Sequence, residues 1–188
     1  MIISITGDTR GIGLALKNHF MLEGHTVIGF SRSNGYDINK LDDRNRIILE
    51  SSSSDIFINN AYAPLAQTEL LKMIISSWEN TNKTIININS KTILIPTTPD
   101  YMLEYVNNKK EQSKIISNRF FKARPHIINF ITSIVDTEMS TKFISKKINP
   151  NHLAKFINTL IEYKELLSVQ EILVEVTDLD WKDIFTNK

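Results

Sequence analysis

The 188 residues are 41% apolar and 23% charged, with a formal net charge of +1 and no cysteine. That is the composition of a globular chain able to bury a core, of a length that fits one domain over residues 1–188. It excludes a disulfide framework, a thiolate nucleophile and a cysteine-held metal, and the near-zero charge argues against nucleic acid or an anionic membrane as partner.

The apolar start, residues 1–5, has no basic segment before it and runs at once into Thr6-Gly7. No secretory leader is therefore expected. The longest apolar stretches, such as residues 85–88, are far too short to span a bilayer, so a cytoplasmic location is expected.

Residues 2–5 predict a first strand, rich in β-branched side chains. A glycine-rich turn follows over residues 6–13, then a helix over 14–23 ending at Gly24-His25, then a strand over 26–30. That is a βαβ unit. Asp37-Ile38 predicts a very short third strand, and residues 41–51 a helix closed by the serine run 51–54. Residues 55–60 predict a fourth strand, 70–78 a helix and 84–89 a fifth strand. A long helix is expected over 101–121, a sixth strand over 126–131, a helix from Pro150 to about residue 160, and a last strand over 171–176. Strands alternating with helices predict an α/β fold: a Rossmann-type, doubly wound parallel sheet of about seven strands, with helices on both faces.

The spacing Gly7-xxx-Gly11-x-Gly13, between a strand and a helix, suits a backbone that must lie close to a pyrophosphate. The helix that follows offers free N–H groups and a positive dipole end. Gly7, Thr9, Arg10, Gly11, Ile12 and Gly13 are the candidate cofactor loop. At the end of the second strand stands Ser31-Arg32-Ser33, with no carboxylate to hold an adenosine ribose. Arg32 suits a 2′-phosphate, and Arg10 could approach it from the other side, so NADP(H) is favoured over NAD(H). Alternatively Arg32 is a solvated loop residue. Asp37 is a candidate for the adenine amino group or for capping a turn.

Tyr105 and Lys109 lie four apart on the long helix and share a face. An ammonium near a phenol favours the phenolate, which makes Tyr105 a usable general acid or base. Ser90 follows the fifth strand, at the sheet edge where ligands bind, and can hold a substrate oxygen. Tyr101, one turn earlier, either lines the pocket or rivals Tyr105.

In this order the residues resemble the short-chain dehydrogenase/reductase family. Thr6-Gly7-xxx-Gly11-Ile12-Gly13 resembles its cofactor loop, and Asn59-Asn60-Ala61 its Asn-Asn-Ala-Gly motif, with Tyr62 in place of the glycine. Residues 85–90 resemble its strand ending in the catalytic serine. Tyr105-xxx-Lys109 resembles its catalytic pair, and Val135-Asp136-Thr137 its nicotinamide-contacting segment. The resemblance implies a short divergent member that transfers hydride between nicotinamide and a small-molecule carbonyl or alcohol. In that reading Tyr105 exchanges the proton, Lys109 binds the nicotinamide ribose and Ser90 orients the carbonyl. Ser31, Arg32, Ser33, Asp37, Asn60, Ala61, Val135 and Thr137 complete the cofactor set. The resemblance also implies a homodimer or homotetramer.

The sequence departs from the family at several points. The helix before residues 84–89 is compressed, and no asparagine is placed to complete a proton relay. Thr132-Ser133 stands where the family has Pro-Gly, and Thr177-Asp178 where it has Gly-Gly. Two other readings remain open: a non-catalytic nucleotide-binding sensor or interaction module, and a Rossmann-type epimerase. His19, His25, His126 and His152 show no ligand spacing, so no metal is expected. Trp78 and Trp181 read as packing residues, and the charged stretches 162–165 and 178–183 as solvated faces. Met139 and Phe143 read either as an apolar lid or, slightly preferred, as core contacts.

Overall fold

The computed structural model describes residues 1–119, 124–141, 143, 145–164 and 168–176. Trp181, Thr177-Asp178, the charged stretch 178–183, residue 165 and the last two residues of the expected long helix lie outside them.

Strands β1 (Ile2–Thr6), β2 (Thr26–Phe30), β3 (Ile56–Asn59), β4 (Thr84–Ser90), β5 (His126–Thr132) and β6 (Glu171–Val174) form one sheet, ordered β2-β1-β3-β4-β5-β6. Every pairing is parallel. The helices are α1 (Gly11–Leu22), α2 (Leu41–Glu50), α3 (Ala66–Ser77), α4 (Leu103–Ser117) and α5 (Pro150–Glu162).

The pleat sorts the side chains into two cores. Ile3, Ile5, Ile56, Ile58, Ile86, Ile88, Ile128 and Phe130 face α1 and α5, against Leu16, Phe20, Leu153 and Ile157. Phe30, Phe57, Ile85 and Ile127 face the opposite layer, against Ile47 of α2, Leu70 and Ile74 of α3, Ile116 of α4 and Trp78. Trp78 is buried and meets Phe57 edge-on, at 6.1 Å between ring centroids.

Asp37-Ile38 does not pair as a strand, so the described sheet has six strands, not seven. The segment is a turn: Asp37 Oδ1 accepts from the Asn39 N–H and the Asn39 side chain, and Asp43 accepts from the Asp37 N–H. Helix α3 starts a turn earlier than expected. The chain leaves β1 for the edge at β2 and returns to β3 on the other side of β1. The carboxyl ends of β1 and β3 therefore border the crevice where such sheets bind ligands.

Candidate active site

The glycine loop closes that crevice. Gly7 and Gly11 take left-handed φ values of 72° and 54°, which favour glycine. A Cβ on Gly13 would stand 2.1 Å from the Gly7 carbonyl oxygen, so the helix packs directly on the loop backbone. The first turn of α1 carries no side-chain cap and no acid, leaving its N–H groups and positive end toward the crevice. That cradle fits a pyrophosphate.

The residues expected around the loop converge on it. Thr6 Oγ1 accepts from the N–H groups of Asn60 (2.9 Å) and Ala61 (3.0 Å). Asn60 Nδ2 donates to the Thr6 carbonyl at 2.9 Å. Asn60 therefore braces the loop with its side chain. Thr137 stands 3.3 Å from where a Gly11 Cβ would lie. Thr9 and Arg10 are exposed, and Arg10 lies 3.6 Å from the exposed Glu138. Ile12, partly buried, and Val135, buried, pack against the core. Ser31 is buried in a capped turn with Asn34, which leaves Arg32 and Ser33 exposed beyond β2. Asp37 caps its own turn, and the adjoining hydrogen bonds hold its carboxyl below the usual range. Of its two readings, the turn cap is the one this geometry supports.

A feature the sequence reading passed over lies beneath the loop. The Asp8 carboxylate is 1% exposed and accepts from Lys17 Nζ of α1 at 2.7 Å. It lies against Gly29 of β2, whose missing side chain makes the room.

Ser90, Tyr105 and Lys109 meet at the carboxyl end of β4. Ser90 is the last residue of β4, and its Oγ accepts from the Thr92 hydroxyl at 3.0 Å. Thr92 was not foreseen. Tyr105 is half-buried, with its phenol beside the Ser90 hydroxyl. Burial raises the Tyr105 phenol above its usual range, and the Ser90 hydroxyl acts the other way. Tyr101 is 73% exposed in the turn before α4, so it does not rival Tyr105.

Lys109 is 4% exposed. Its ammonium donates to the Ile88 carbonyl at 2.8 Å and to Gln67 Oε1 at 2.9 Å. Burial brings its pKa down to about 7. The ammonium lies 5.9 Å from the centre of the Tyr105 ring and 5.8 Å from that of Tyr62. The lowering of the phenol pKa expected from Lys109 is therefore not a feature of this structure, because the ammonium turns to Gln67 and Ile88. Tyr62 packs edge-on against Tyr105 at 4.9 Å.

Behind these residues runs a buried amide array. Asn59, Asn87 and Asn129 stand at one register across β3, β4 and β5. Asn59 Nδ2 donates to Asn87 Oδ1 (2.9 Å), and Asn87 Nδ2 to Gln112 Oε1 (3.2 Å). Gln112 Nε2 donates to Gln67 Oε1 at 3.3 Å. Asn129 Nδ2 reaches Glu171 on β6 at 2.7 Å. Asn89 binds the Lys109 carbonyl (3.2 Å) and Ser113 Oγ (2.8 Å). The array was legible only as polar residues at inward strand positions.

Met139 is 65% exposed and makes no core contact, against the preferred reading, while Phe143 is partly buried. Among the described residues, no cluster of histidine, aspartate or glutamate is placed to hold a metal, and no helix is long and apolar enough to cross a membrane.

No family model matches the chain. Over 118 aligned residues it is 30% identical to the NADP-dependent 3-hydroxy acid dehydrogenase of Escherichia coli, covering 52% of this chain and 46% of that protein. The same enzyme of Shigella flexneri matches equally. The match thus spans under half the length of these relatives. Solved structures share the fold at low identity. A 3-alpha-hydroxysteroid dehydrogenase from a Pseudomonas species, complexed with NADH, superposes with a TM-score of 0.77 at 15% identity, covering 93% of this chain and 95% of that one. Serine dehydrogenase from Escherichia coli gives 0.77 at 15% identity, covering 96% and 100%. A short-chain dehydrogenase from Burkholderia cenocepacia, complexed with NADP, gives 0.74 at 16%, covering 93% and 88%.

Proposed function

We propose that the chain, a member of the short-chain dehydrogenase/reductase family, is an NADP(H)-dependent oxidoreductase acting on a small carbonyl or alcohol. The observation that carries this reading is the meeting of Ser90, Tyr105 and buried Lys109 at the sheet edge beside the glycine cradle.

Gly7, Gly11, Gly13 and the first turn of α1 would hold the pyrophosphate, Thr137 would lie near the nicotinamide end, and Arg32 with Arg10 would take a 2′-phosphate. Bound NADP(H) would supply or accept the hydride at the substrate carbon. Ser90 Oγ holds the substrate oxygen by a hydrogen bond. Tyr105 Oη gives that oxygen a proton in reduction and takes it back in oxidation. Lys109, behind the Tyr105 ring, would hold the nicotinamide ribose. Tyr62 closes one side of Tyr105 against water.

The relatives that match in sequence are named for 3-hydroxy acids, so that class heads the substrates to test. Residues 1–188 acting as one domain, a cytoplasmic location and assembly as a homodimer or homotetramer belong to the same reading. Sedimentation of the purified chain tests the assembly. The function is tested by following NADP+ reduction with L-serine and 3-hydroxybutyrate, and NADPH oxidation with a panel of ketones and aldehydes. Turnover that Lys109→Ala abolishes is expected. Tight NADPH binding with no turnover on any of them would instead point to a sensor, and turnover without net cofactor redox to an epimerase.

A further inference from the structure

We infer that Gln67 is the positioning residue for Lys109: a neutral side chain on α3 that takes the place of a water or a carboxylate beside the buried ammonium. The inference rests on Lys109 belonging to the proposed reductase site.

A lysine cation removed from water needs acceptors, and without them it loses its proton. Lys109 has two, the Ile88 carbonyl and Gln67 Oε1. No salt bridge of Lys109 exists among the described residues. The side chains that face it are Tyr105 from its own helix, Tyr62 from the loop before α3, and Gln67 from α3. Glu104 acts on Tyr62 and not on the lysine. Gln67 is thus the one side-chain oxygen hydrogen-bonded to the ammonium among the described residues.

Gln67 is held as a fixed acceptor. It is fully buried, and its Nε2 donates to the Asn59 carbonyl at 3.0 Å, which fixes the amide with its oxygen toward the lysine. Gln112 Nε2 shares that oxygen from one side at 3.3 Å and binds Thr68 Oγ1 at 3.2 Å. The start of α3 is anchored to the lysine's own helix. Leu65, the residue before α3, takes a left-handed φ of 58°, and its N–H donates to Asn108 Oδ1 at 3.2 Å. A non-glycine residue in that conformation persists where its surroundings hold it. Asn108 and Lys109, adjacent on α4, therefore grip the first turn of α3 at two points. A carboxylate at 67 would hold the proton on Lys109 more tightly, whereas an amide orients the cation and leaves its proton exchangeable near neutrality.

The decisive measurement is an NMR pH titration of the Lys109 ammonium in lysine-15N-labelled, cofactor-free protein, with the resonance assigned through Lys109→Arg. The midpoint of the unsubstituted chain is expected near neutrality. Gln67→Glu is expected to raise it by about one unit or more, a tenfold tighter hold on the proton, and Gln67→Met to lower it. The pH dependence of kcat for NADPH-driven reduction of acetoacetate should move the same way in Gln67→Glu. An unchanged or lowered midpoint in Gln67→Glu overturns the inference, and that variant decides the matter even if Gln67→Met does not fold. If the midpoint moves as expected while no carbonyl is reduced by any form, Gln67 does hold Lys109 and it is the oxidoreductase reading that fails.

Discussion

The Asp8 carboxylate occupies the space that a side chain on Gly29 would fill, and Lys17 reaches across from α1 to pair with it at 2.7 Å. The glycine loop, the first helix and the second strand are thereby tied at one point. Gly29→Ala would place a methyl 2.0 Å from Asp8 Oδ2, so the carboxylate must leave its site or the strand must shift. The expected loss of stability is about 1–3 kcal/mol, with weaker NADPH binding from a displaced loop. Urea denaturation and calorimetric titration of the folded variant check the two effects.

Tyr105→Phe removes the hydroxyl that meets Ser90 and keeps the ring packed on Tyr62. The expected outcome is a fall in kcat of about 10²–10⁴-fold, with little change in NADPH affinity. Equal rates for the variant and the unsubstituted chain on every responsive substrate would strip Tyr105 of its role.

Arg32 is exposed just beyond β2, in the non-acidic segment Ser31-Arg32-Ser33, with the Asp37 carboxylate close enough to feel its charge. Arg32→Glu should weaken NADPH binding about tenfold or more, since it replaces a phosphate-binding cation by an anion. NADH binding should change little. Paired titrations with the two cofactors check it, and parallel losses for both would exclude a 2′-phosphate contact.

Lys109 lets the stability of the fold respond to pH. Its pKa in the folded chain is about 7, below the ordinary 10.5. Between those values the unfolded chain holds a proton that the folded chain has released, so stability from this group rises with pH. Below about pH 7 both states are protonated and the full cost of the buried charge is present. The slope across the window is at most about 1.4 kcal/mol per pH unit. Lys109→Met should flatten it. Urea midpoints of the two proteins at pH 6, 7.5 and 9 give the comparison.

The glycine loop, five of the helices and six of the strands could be read in the sequence because each is written locally, in glycine spacing or in runs such as Ile85-Ile86 and Ile127-Ile128. Asp37-Ile38 misled because two residues carry no period, and the Asp37 carboxylate closes a turn where a strand was expected. Tyr105 and Ser90 lie beside each other in the structure, a proximity that strand ends and helix faces allow one to expect from spacing. The surroundings of Lys109 were not legible. Gln67 lies 42 positions away and matters only through the packing of α3 on α4. Asp8 was passed over for a similar reason, since its meaning depends on the vacancy at Gly29, 21 positions on. Asn59, Asn87 and Asn129 sat in view as polar residues inside strands, yet their common register appears only once the sheet is assembled.

The row of asparagines gives the interior behind Lys109 the character of a small pool of liquid formamide. Asn87 and Asn129 both give and take hydrogen bonds through their side chains, Asn59 gives them, and none of the amides titrates. Acidifying or alkalising the medium therefore leaves the amides themselves uncharged. A designer wishing to retune the working range of the site could change the depth of that pool, one amide at a time, without placing a new charge beside the reacting groups.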